Sequence, residues 1–184
     1  MTQIAKPAAF LDRDGTLVEE VNYLSRVEDL RIFPYTAEAL RHLKQLGFLT
    51  IVVTNQSGIG RGISTEAAMN GIHKAMKADL GDLIDGFYFC PHLPDSGCSC
   101  RKPGTGMIEE AEQSFAIDRA RSWMIGDKLL DIETGFKAGM NSALVKTGYG
   151  TKTIDKIVRQ PDVIADDLLA VVEQIIAKAS TEAA

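Results

Sequence analysis

The sequence predicts a single α/β domain with a Rossmann-like three-layer fold, in which helices cover both faces of a mainly parallel sheet. Two observations support this prediction. Short apolar segments alternate with segments of helical periodicity along the chain, and this alternation implies right-handed crossovers between parallel strands. The 184 residues, of which 45% are hydrophobic and 24% charged, are enough for one packed domain over residues 1–184.

The predicted strands are short apolar segments that end at a turn or a polar run. The first has the sequence AAFL and stops abruptly before an acidic run. The second, FLTIVV, is rich in β-branched residues, which is typical of a buried parallel strand. In chain order the predicted strands take up residues 8–11, 48–53, 86–90, 123–125 and 142–145, with a short edge strand within 157–165.

The predicted helices carry apolar residues on one face. In the first, Ala37, Leu40 and Leu43 share a face, and Gly47 follows as a C-terminal stop. The second carries His73, which has no acidic or thiol partner nearby in the sequence, so we expect a surface or hydrogen-bonded position for it. The predicted helices take up residues 36–46, 65–80, 107–115, 132–138 and 166–178.

Charge and cysteine content argue against several classes of protein. The net charge of −5 disfavours a nucleic-acid binder held by phosphate contacts. No apolar run approaches the ~18–20 residues that span a bilayer, and the N-terminal segment lacks the apolar core of a secretory signal. The 3 cysteines lie close together, between Cys90 and Cys100, so reduced thiols are expected. We therefore expect a cytoplasmic monomer that binds neither nucleic acid nor membrane.

Polar side chains follow three of the predicted strands. Asp12 and Asp14 follow the first, Thr54 and Asn55 the second, and Asp127 a later one. The carboxyl ends of parallel strands meet at one edge of the sheet, where ligands bind. Neighbouring carboxylates repel each other unless a cation lies between them, and oxygen ligands suit Mg²⁺. We therefore predict a Mg²⁺ site formed by Asp12, Asp14 and Asp127; the alternative is that these carboxylates satisfy turn amides and cap a helix.

A second cluster combines thiols with an imidazole. Cys90, His92, Cys98 and Cys100 form a complete tetrahedral ligand set for Zn²⁺. The spacings between them are tighter than usual, and a loop of free thiols is the alternative. Because the protein can fill all four positions, we predict a structural Zn²⁺ site within residues 90–100 rather than a catalytic one.

Four segments resemble the motifs of the haloacid-dehalogenase-like phosphatases, in the order that this family has them. They are FLDRDGT at residues 10–16, Thr54 after IVV, Lys102, and GDKLLD at residues 126–131. The resemblance implies a Mg²⁺-dependent phosphomonoesterase in which Asp12 attacks phosphorus and becomes an aspartyl-phosphate. It also implies that Asp14 acts as the general acid and base, while Thr54 and Lys102 bind the phosphoryl oxygens.

Two branches of that family carry a zinc loop. One removes the 7-phosphate of D-glycero-D-manno-heptose 1,7-bisphosphate during ADP-heptose and lipopolysaccharide core synthesis, and the other hydrolyses histidinol phosphate. TNQSGIGRG at residues 54–62 resembles the heptose branch, whereas the short stretch at residues 93–97 resembles the histidinol branch. The heptose branch is the main prediction and implies a small phosphorylated sugar as substrate. The predicted substrate-binding residues are Glu20, Val21, Asn22, Tyr23, Asn55, Gln56, Ser57, Arg101 and Lys128.

Two other classes of function remain as alternatives. A receiver-like signalling module also places an Asp cluster, a hydroxyl residue and a Lys at the ends of parallel strands. Asp14 argues against this alternative, since it supplies a base for hydrolysis of the acyl phosphate. A zinc-supported binding domain without activity is the other. About forty residues separate Asp14 from Thr54, which leaves room for a small flap and one helix, so we expect a minimal cap.

Overall fold

A computed structural model describes residues 4–182 and contains a six-stranded sheet in which every pair of neighbouring strands is parallel. Residues 1–3 and 183–184 lie outside the described part. The strand order is β3-β2-β1-β4-β5-β6, which confirms the predicted parallel α/β sheet. The strands are β1 (Ala8–Leu11), β2 (Leu49–Asn55), β3 (Gly86–Cys90), β4 (Trp123–Gly126), β5 (Asn141–Val145) and β6 (Val163–Ala165).

The helices connect these strands and cover the sheet on both faces. Thr65 caps the helix Glu66–Leu80 by accepting a hydrogen bond from the Ala68 amide at 3.1 Å. Gly139 ends another helix in the left-handed conformation, with φ of 71°. The helices are α1 (Thr36–Gln45), α2 (Ser57–Gly60), α3 (Glu66–Leu80), α4 (Gly106–Glu112), α5 (Leu129–Ala138), α6 (Gly150–Ile154) and α7 (Leu168–Glu182).

Alternate residues of β1 point into two separate hydrophobic cores. Ala9 and Leu11 belong to the core beneath α1, α3 and α7, whereas Ala8 and Phe10 belong to the core beneath α4. All four side chains are fully buried. This alternation explains why β1 reads as a continuous apolar run, because both of its faces are covered.

Several boundaries differ from the predicted ones for identifiable reasons. β2 extends to Asn55 because its pairing with β3 continues to Cys90. α5 begins three residues earlier than predicted, where the Asp131 carboxylate accepts a hydrogen bond from the Lys128 amide at 2.9 Å. α2 and α6 are absent from the predicted helices because they are too short to show a helical period.

A small flap lies between β1 and α1, as expected for a minimal cap. Val18 pairs with Ile32 in an antiparallel bridge. Next to it, Asn22 and Tyr23 have positive φ angles of 25° and 66°. The Tyr23 ring lies directly on Gly58 of α2, where an added Cβ would come within 3.0 Å of the ring. The flap is therefore fastened to the segment that follows β2.

The helices between residues 4 and 182 are too short or too polar to cross a bilayer.

Candidate active site

The carboxyl ends of β1, β2 and β4 bring the predicted catalytic residues together. The amide of Asp12 donates to the carbonyl of Ile125 in β4 at 2.9 Å, which fixes the end of β1 beside the end of β4. A pocket lies above these ends. Its lining residues are Asp12, Asp14, Thr54, Asn55, Lys102, Lys128, Leu130 and Asp131.

Lys102 lies at the bottom of this pocket as a buried ammonium with three oxygen partners. Its Nζ is 2.8 Å from Asp12 Oδ1, 2.6 Å from Asp131 Oδ1 and 2.8 Å from the Val53 carbonyl oxygen. Burial opposes the charged form, but attraction to Asp12 and Asp131 outweighs it and raises the pKa of Lys102. The predicted lysine of the site is therefore a fixed positive charge beside Asp12.

Three carboxylates converge next to Lys102. Oxygens of Asp12, Asp127 and Asp131 all lie within 4.8 Å of one another, and all three residues are buried. Burial and then repulsion from Asp12 raise the pKa of Asp127 to about 8. Burial also acts to raise the pKa of Asp12, but Lys102 and Lys128 outweigh it and lower that pKa.

Asp127 shows that this cluster fits a divalent cation. Its Oδ2 accepts a hydrogen bond from the Tyr149 amide at 2.7 Å, whereas its buried Oδ1 has no hydrogen-bond partner. Lys128 Nζ is 3.7 Å from that oxygen, beyond hydrogen-bond distance. A carboxylate oxygen left without a donor among other carboxylates is the kind of ligand that Mg²⁺ takes.

The structure places Asp14 differently from the other predicted Mg²⁺ ligands. Its carboxylate lies outside the Asp12–Asp127–Asp131 group and accepts hydrogen bonds from Arg13. The Arg13 guanidinium is fully buried, and its Nη2 is 2.8 Å from Asp14 Oδ2. The position of Asp14 at the pocket wall agrees with a proton-transfer role, while its role as a metal ligand stays a prediction.

The last residue of β2 and the residue after it form hydrogen bonds within the protein through their side chains. Gln56 Nε2 donates to Thr54 Oγ1 and to Asp14 Oδ2, each at 2.8 Å. Asn55 forms two hydrogen bonds with the backbone of Lys102, donating to its carbonyl at 3.1 Å and accepting from its amide at 2.9 Å. Asn55 thus holds the segment that carries Lys102, and Gln56 joins the ends of β1 and β2.

Of the other predicted substrate-binding residues, only Lys128 lines the main pocket itself. Lys128 Nζ is 3.3 Å from Glu20 Oε2 and 5.0 Å from the centre of the Tyr149 ring. Arg101 donates to the His92 carbonyl at 3.2 Å and lines a hollow that shares Lys102 and Leu130 with the main pocket. Val21 and Tyr23 line a separate hollow of the flap, Asn22 lies between them in the chain, and Ser57 begins α2.

The thiol loop brings its four predicted ligands together. The possible ligand atoms, which are three thiol sulfurs and one imidazole nitrogen, all lie within 4.8 Å of one another. They belong to Cys90, His92, Cys98 and Cys100. Cys100 Sγ is 2.9 Å from Cys90 Sγ and 3.2 Å from His92 Nδ1. Burial, followed by the hydrogen bond with Cys100, raises the pKa of Cys90 to about 12. A bound cation would be needed to stabilise the Cys90 thiolate, so the set fits a thiophilic metal ion.

The sequence analysis left two residues of this site unassigned. Asp131 lies in the first turn of α5, four residues after Asp127, and that spacing was the available signal for it. Arg13 lies between the two motif aspartates, and nothing in the sequence indicates that its side chain turns back onto Asp14.

Comparisons with known proteins show which family this chain belongs to. A family model described as HAD-hydrolase-like matches residues 99–171. D-glycero-D-manno-heptose-1,7-bisphosphate 7-phosphatase of Thermosynechococcus vestitus is 38% identical, with 92% of this chain and 95% of that protein covered. D-glycero-beta-D-manno-heptose-1,7-bisphosphate 7-phosphatase of Escherichia coli (strain K12) is 40% identical, with 77% and 80% covered.

A solved structure gives the same picture. The crystal structure of D,D-heptose 1,7-bisphosphate phosphatase from B. bronchiseptica, complexed with magnesium and phosphate, superposes with a TM-score of 0.85 at 33% identity. The match covers 94% of this chain and 99% of that one.

Proposed function

Because this chain belongs to the heptose-1,7-bisphosphate phosphatase family of haloacid-dehalogenase-like phosphatases, we propose that it removes the 7-phosphate of D-glycero-D-manno-heptose 1,7-bisphosphate. The observation that carries the proposal is the placement of Asp12. This carboxylate ends β1 at the bottom of an open pocket, with Lys102 Nζ at 2.8 Å and two further carboxylates beside it. A nucleophile, a fixed cation and a cation-binding group therefore meet at one point.

Asp12 forms the first new bond in the proposed reaction. One of its oxygens attacks phosphorus while the bond between phosphorus and the sugar oxygen breaks, which gives an aspartyl-phosphate. The departing sugar oxygen takes a proton from Asp14. Water then transfers a proton to Asp14 and attacks the same phosphorus, which releases inorganic phosphate and restores Asp12.

The phosphoryl oxygens carry the charge that develops in both steps. The Thr54 hydroxyl and the Lys102 ammonium line the pocket and would donate to these oxygens. Bound Mg²⁺, for which Asp12 and Asp127 offer oxygens with Asp131 beside them, would supply further positive charge for the phosphoryl group.

Two cations at the rim support a bisphosphate as the substrate. Lys128 lines the pocket that holds Asp12, and Arg101 lines the neighbouring hollow that shares Lys102 and Leu130 with it. Burial opposes protonation of Lys128, but Asp12, Asp127 and Glu20 outweigh it and raise its pKa, so this side chain stays charged. A second phosphate away from Asp12 would find a partner at either residue, and Arg101 can bind it through two hydrogen bonds.

We propose that the Cys90–Cys100 segment holds Zn²⁺ for a structural purpose. Its three thiols and one imidazole can fill all four tetrahedral positions. Arg101 and Lys102 directly follow Cys100, so a metal-fixed loop would fix both side chains over the pocket. The product would enter ADP-heptose and lipopolysaccharide core synthesis, as the family implies, and the clustered thiols still favour a reducing, cytoplasmic location.

The test of the proposal is a comparison of two substrates. We expect kcat/KM for heptose 1,7-bisphosphate, measured with Mg²⁺ and with each anomer, to exceed that for histidinol phosphate by about 100-fold or more. The second phosphate is the physical reason, since histidinol phosphate has none for Arg101 and Lys128 to bind. A higher kcat/KM for histidinol phosphate would assign the chain to the histidinol branch. Stoichiometric phosphate labelling without turnover would instead indicate a receiver-like module.

A further inference from the structure

The Gln56 side chain contacts two groups of the proposed reaction. They are the Thr54 hydroxyl, which binds a phosphoryl oxygen, and the Asp14 carboxyl group, which transfers protons. It is 7% exposed, and its Nε2 is 2.8 Å from both Thr54 Oγ1 and Asp14 Oδ2. A carboxylate only accepts hydrogen bonds, so the NH₂ group of the amide, and not its carbonyl, faces Asp14. The two hydrogens of one nitrogen therefore serve two different residues.

We propose that Gln56 is a positioning residue, which orients Thr54 and Asp14 without touching the substrate. This inference rests on the proposed phosphatase function and replaces the predicted substrate contact of Gln56. It follows from the direction of the two hydrogen bonds and from the way the backbone of Gln56 is held.

The hydrogen bond to Thr54 sets the direction of its hydroxyl hydrogen. A hydroxyl group has one hydrogen to donate and two lone pairs that accept. Gln56 occupies one lone pair of Thr54 Oγ1, so the hydroxyl hydrogen must point elsewhere. Thr54 also lines the pocket of Asp12 and Lys102, and a phosphoryl oxygen placed there receives that hydrogen.

The hydrogen bond to Asp14 fixes the acid and base of the reaction from a second strand. Arg13 already holds the Asp14 carboxylate at 2.8 Å, but Arg13 is its neighbour in the chain and moves with it. Gln56 belongs to the segment after β2, so its contact fixes the distance between the ends of β1 and β2. Small errors in that distance are costly, because the rate of an oriented reaction falls steeply with misplacement.

The backbone of Gln56 has an anchor of its own. Its amide donates to the carbonyl of Cys90, at the end of β3, at 2.7 Å. The side chain therefore extends from a fixed point, and it does not depend on the substrate to become ordered. Three neighbouring strand ends, those of β1, β2 and β3, meet through this residue.

The direct test is Gln56→Met, which keeps the length of the side chain and removes both donors. We expect kcat to fall by about 30–100-fold, while KM changes by less than about threefold because the phosphate-binding cations remain. Gln56→Glu, which puts an acceptor against Asp14, should have a still lower kcat. Asn141→Ala is the matched control: its amide donates to the Ser122 carbonyl at the opposite end of the sheet, and its kcat should equal that of the wild type.

A double-mutant cycle with Thr54→Ala distinguishes positioning from direct contact. If Gln56 acts through Thr54, the loss of kcat caused by Gln56→Met is smaller in the Thr54→Ala background than in the wild type. Additive losses, a raised KM with unchanged kcat, or a lowered Tm with unchanged kcat would each overturn the proposal. If Gln56→Met does not fold, Gln56→Asn, with an amide one carbon shorter, provides the same cycle.

The choice of substrate separates this proposal from the proposed function. The same ratios of kcat are measured with p-nitrophenyl phosphate, a simple aryl phosphate. Positioning predicts a loss with both substrates, because Thr54 binds the phosphoryl group and Asp14 takes the proton of the attacking water in each case. The loss with p-nitrophenyl phosphate should be the smaller one, since its leaving group does not need the proton of Asp14. If the wild-type enzyme has no preference for heptose bisphosphate, the substrate assignment is wrong, but the ratios of kcat between wild type and Gln56 variants still test the role of Gln56. A loss of kcat confined to the heptose substrate would overturn the positioning role.

Discussion

Individual residues in this protein have charge states that follow from what lies directly beside them. Asp12 and Asp127 are both buried carboxylates at strand ends, yet their pKa values shift in opposite directions. Asp12 contacts the Lys102 ammonium, which lowers its pKa, whereas Asp127 has an oxygen without a donor and faces Asp12. The group that stays ionised is thus the one that the proposed mechanism uses as the nucleophile.

Asp12→Asn should abolish Mg²⁺-dependent phosphate release, with a loss of more than about 1,000-fold in kcat, because an amide does not form the acyl phosphate. Phosphate release with the preferred substrate measures the effect, and circular dichroism checks the fold. Asp118→Asn is the control, since that carboxylate pairs with Arg121 away from the pocket. Full activity of Asp12→Asn would refute covalent catalysis by this residue.

His73 is a residue whose environment differs from the expectation. The sequence analysis expected a surface or hydrogen-bonded position, but the residue is 7% exposed and its Nε2 has no hydrogen-bond partner. Its ring stacks on Phe87 with a centroid distance of 4.6 Å. Burial, and then repulsion from Arg13, lower its pKa to about 3. Nothing in the helical pattern alone indicates that an imidazole takes this place in a core of apolar side chains.

Stability should consequently fall in acid because of His73. The unfolded chain binds a proton below the ordinary pKa of about 6.5, while the folded protein does not until about pH 3. The contribution of neutral His73 to the free energy of unfolding is therefore complete above pH 6.5, and it decreases as the pH falls toward 3. By this linkage the free energy of unfolding decreases by about 2 kcal/mol between pH 7.5 and pH 5.

His73→Leu should remove that part of the pH dependence, as measured by denaturant unfolding at pH 7.5 and pH 5. Phe87→Leu serves as the control, because it also disrupts the stacked pair but keeps the imidazole, and it should retain the dependence. An equal decrease in stability for His73→Leu and the wild type would show that His73 is not the group responsible.

At the scale of elements, the thiol loop connects an edge strand to Lys102. β3 ends at Cys90, the loop carries the remaining three ligands, and Lys102 follows two residues after Cys100. Asn55 holds the Lys102 backbone from the other side. The position of the lysine thus depends on two supports, one of which requires the loop to keep its shape.

Removing the predicted loop metal should therefore lower kcat, although this metal takes no part in the reaction steps themselves. In assays with excess Mg²⁺, we expect protein stripped of zinc to lose about 10–100-fold in kcat, as is usual when support of a site is lost, and to recover when zinc is added back. Metal analysis and limited proteolysis of the 93–97 stretch follow the state of the loop. Cys98→Ser should have the low kcat from the start and be insensitive to chelator. Unchanged turnover and protease resistance of the stripped protein would contradict a structural role for the metal.

At the scale of the whole molecule, periodic segments were predictable and side-chain directions were not. β3 has its predicted bounds, and β1 likewise, because an apolar run with turns at both ends has few alternatives. The meeting of Asp12, Thr54 and Asp127 followed from parallel topology alone. Asp14 lines the same pocket as Asp12, but the buried guanidinium of Arg13 holds its carboxylate at the wall, outside the Asp12–Asp127–Asp131 group.

Short-range sequence patterns do not predict side-chain roles that depend on contacts between distant segments. Gln56 and Asn55 resemble other polar loop residues in the sequence, and their roles depend on partners such as Lys102, which lies 47 positions away from Asn55 in the chain. The Tyr23–Gly58 contact is of the same kind. Such pairings need the folded sheet before they exist, and no local signal encodes them.

The strand order also indicates which parts of the sheet can unfold locally. β2, β1 and β4 each have a hydrogen-bonded neighbour on both sides, whereas β3 lies at an edge and continues into the thiol loop. We expect amide hydrogens of the inner strands to exchange with solvent more slowly than those of β3, because an edge strand can open without the rest of the sheet. On moderate heating, the segment that carries Lys102 would unfold locally while Asp12 kept its position. Activity would therefore be lost at a lower temperature than the global unfolding transition.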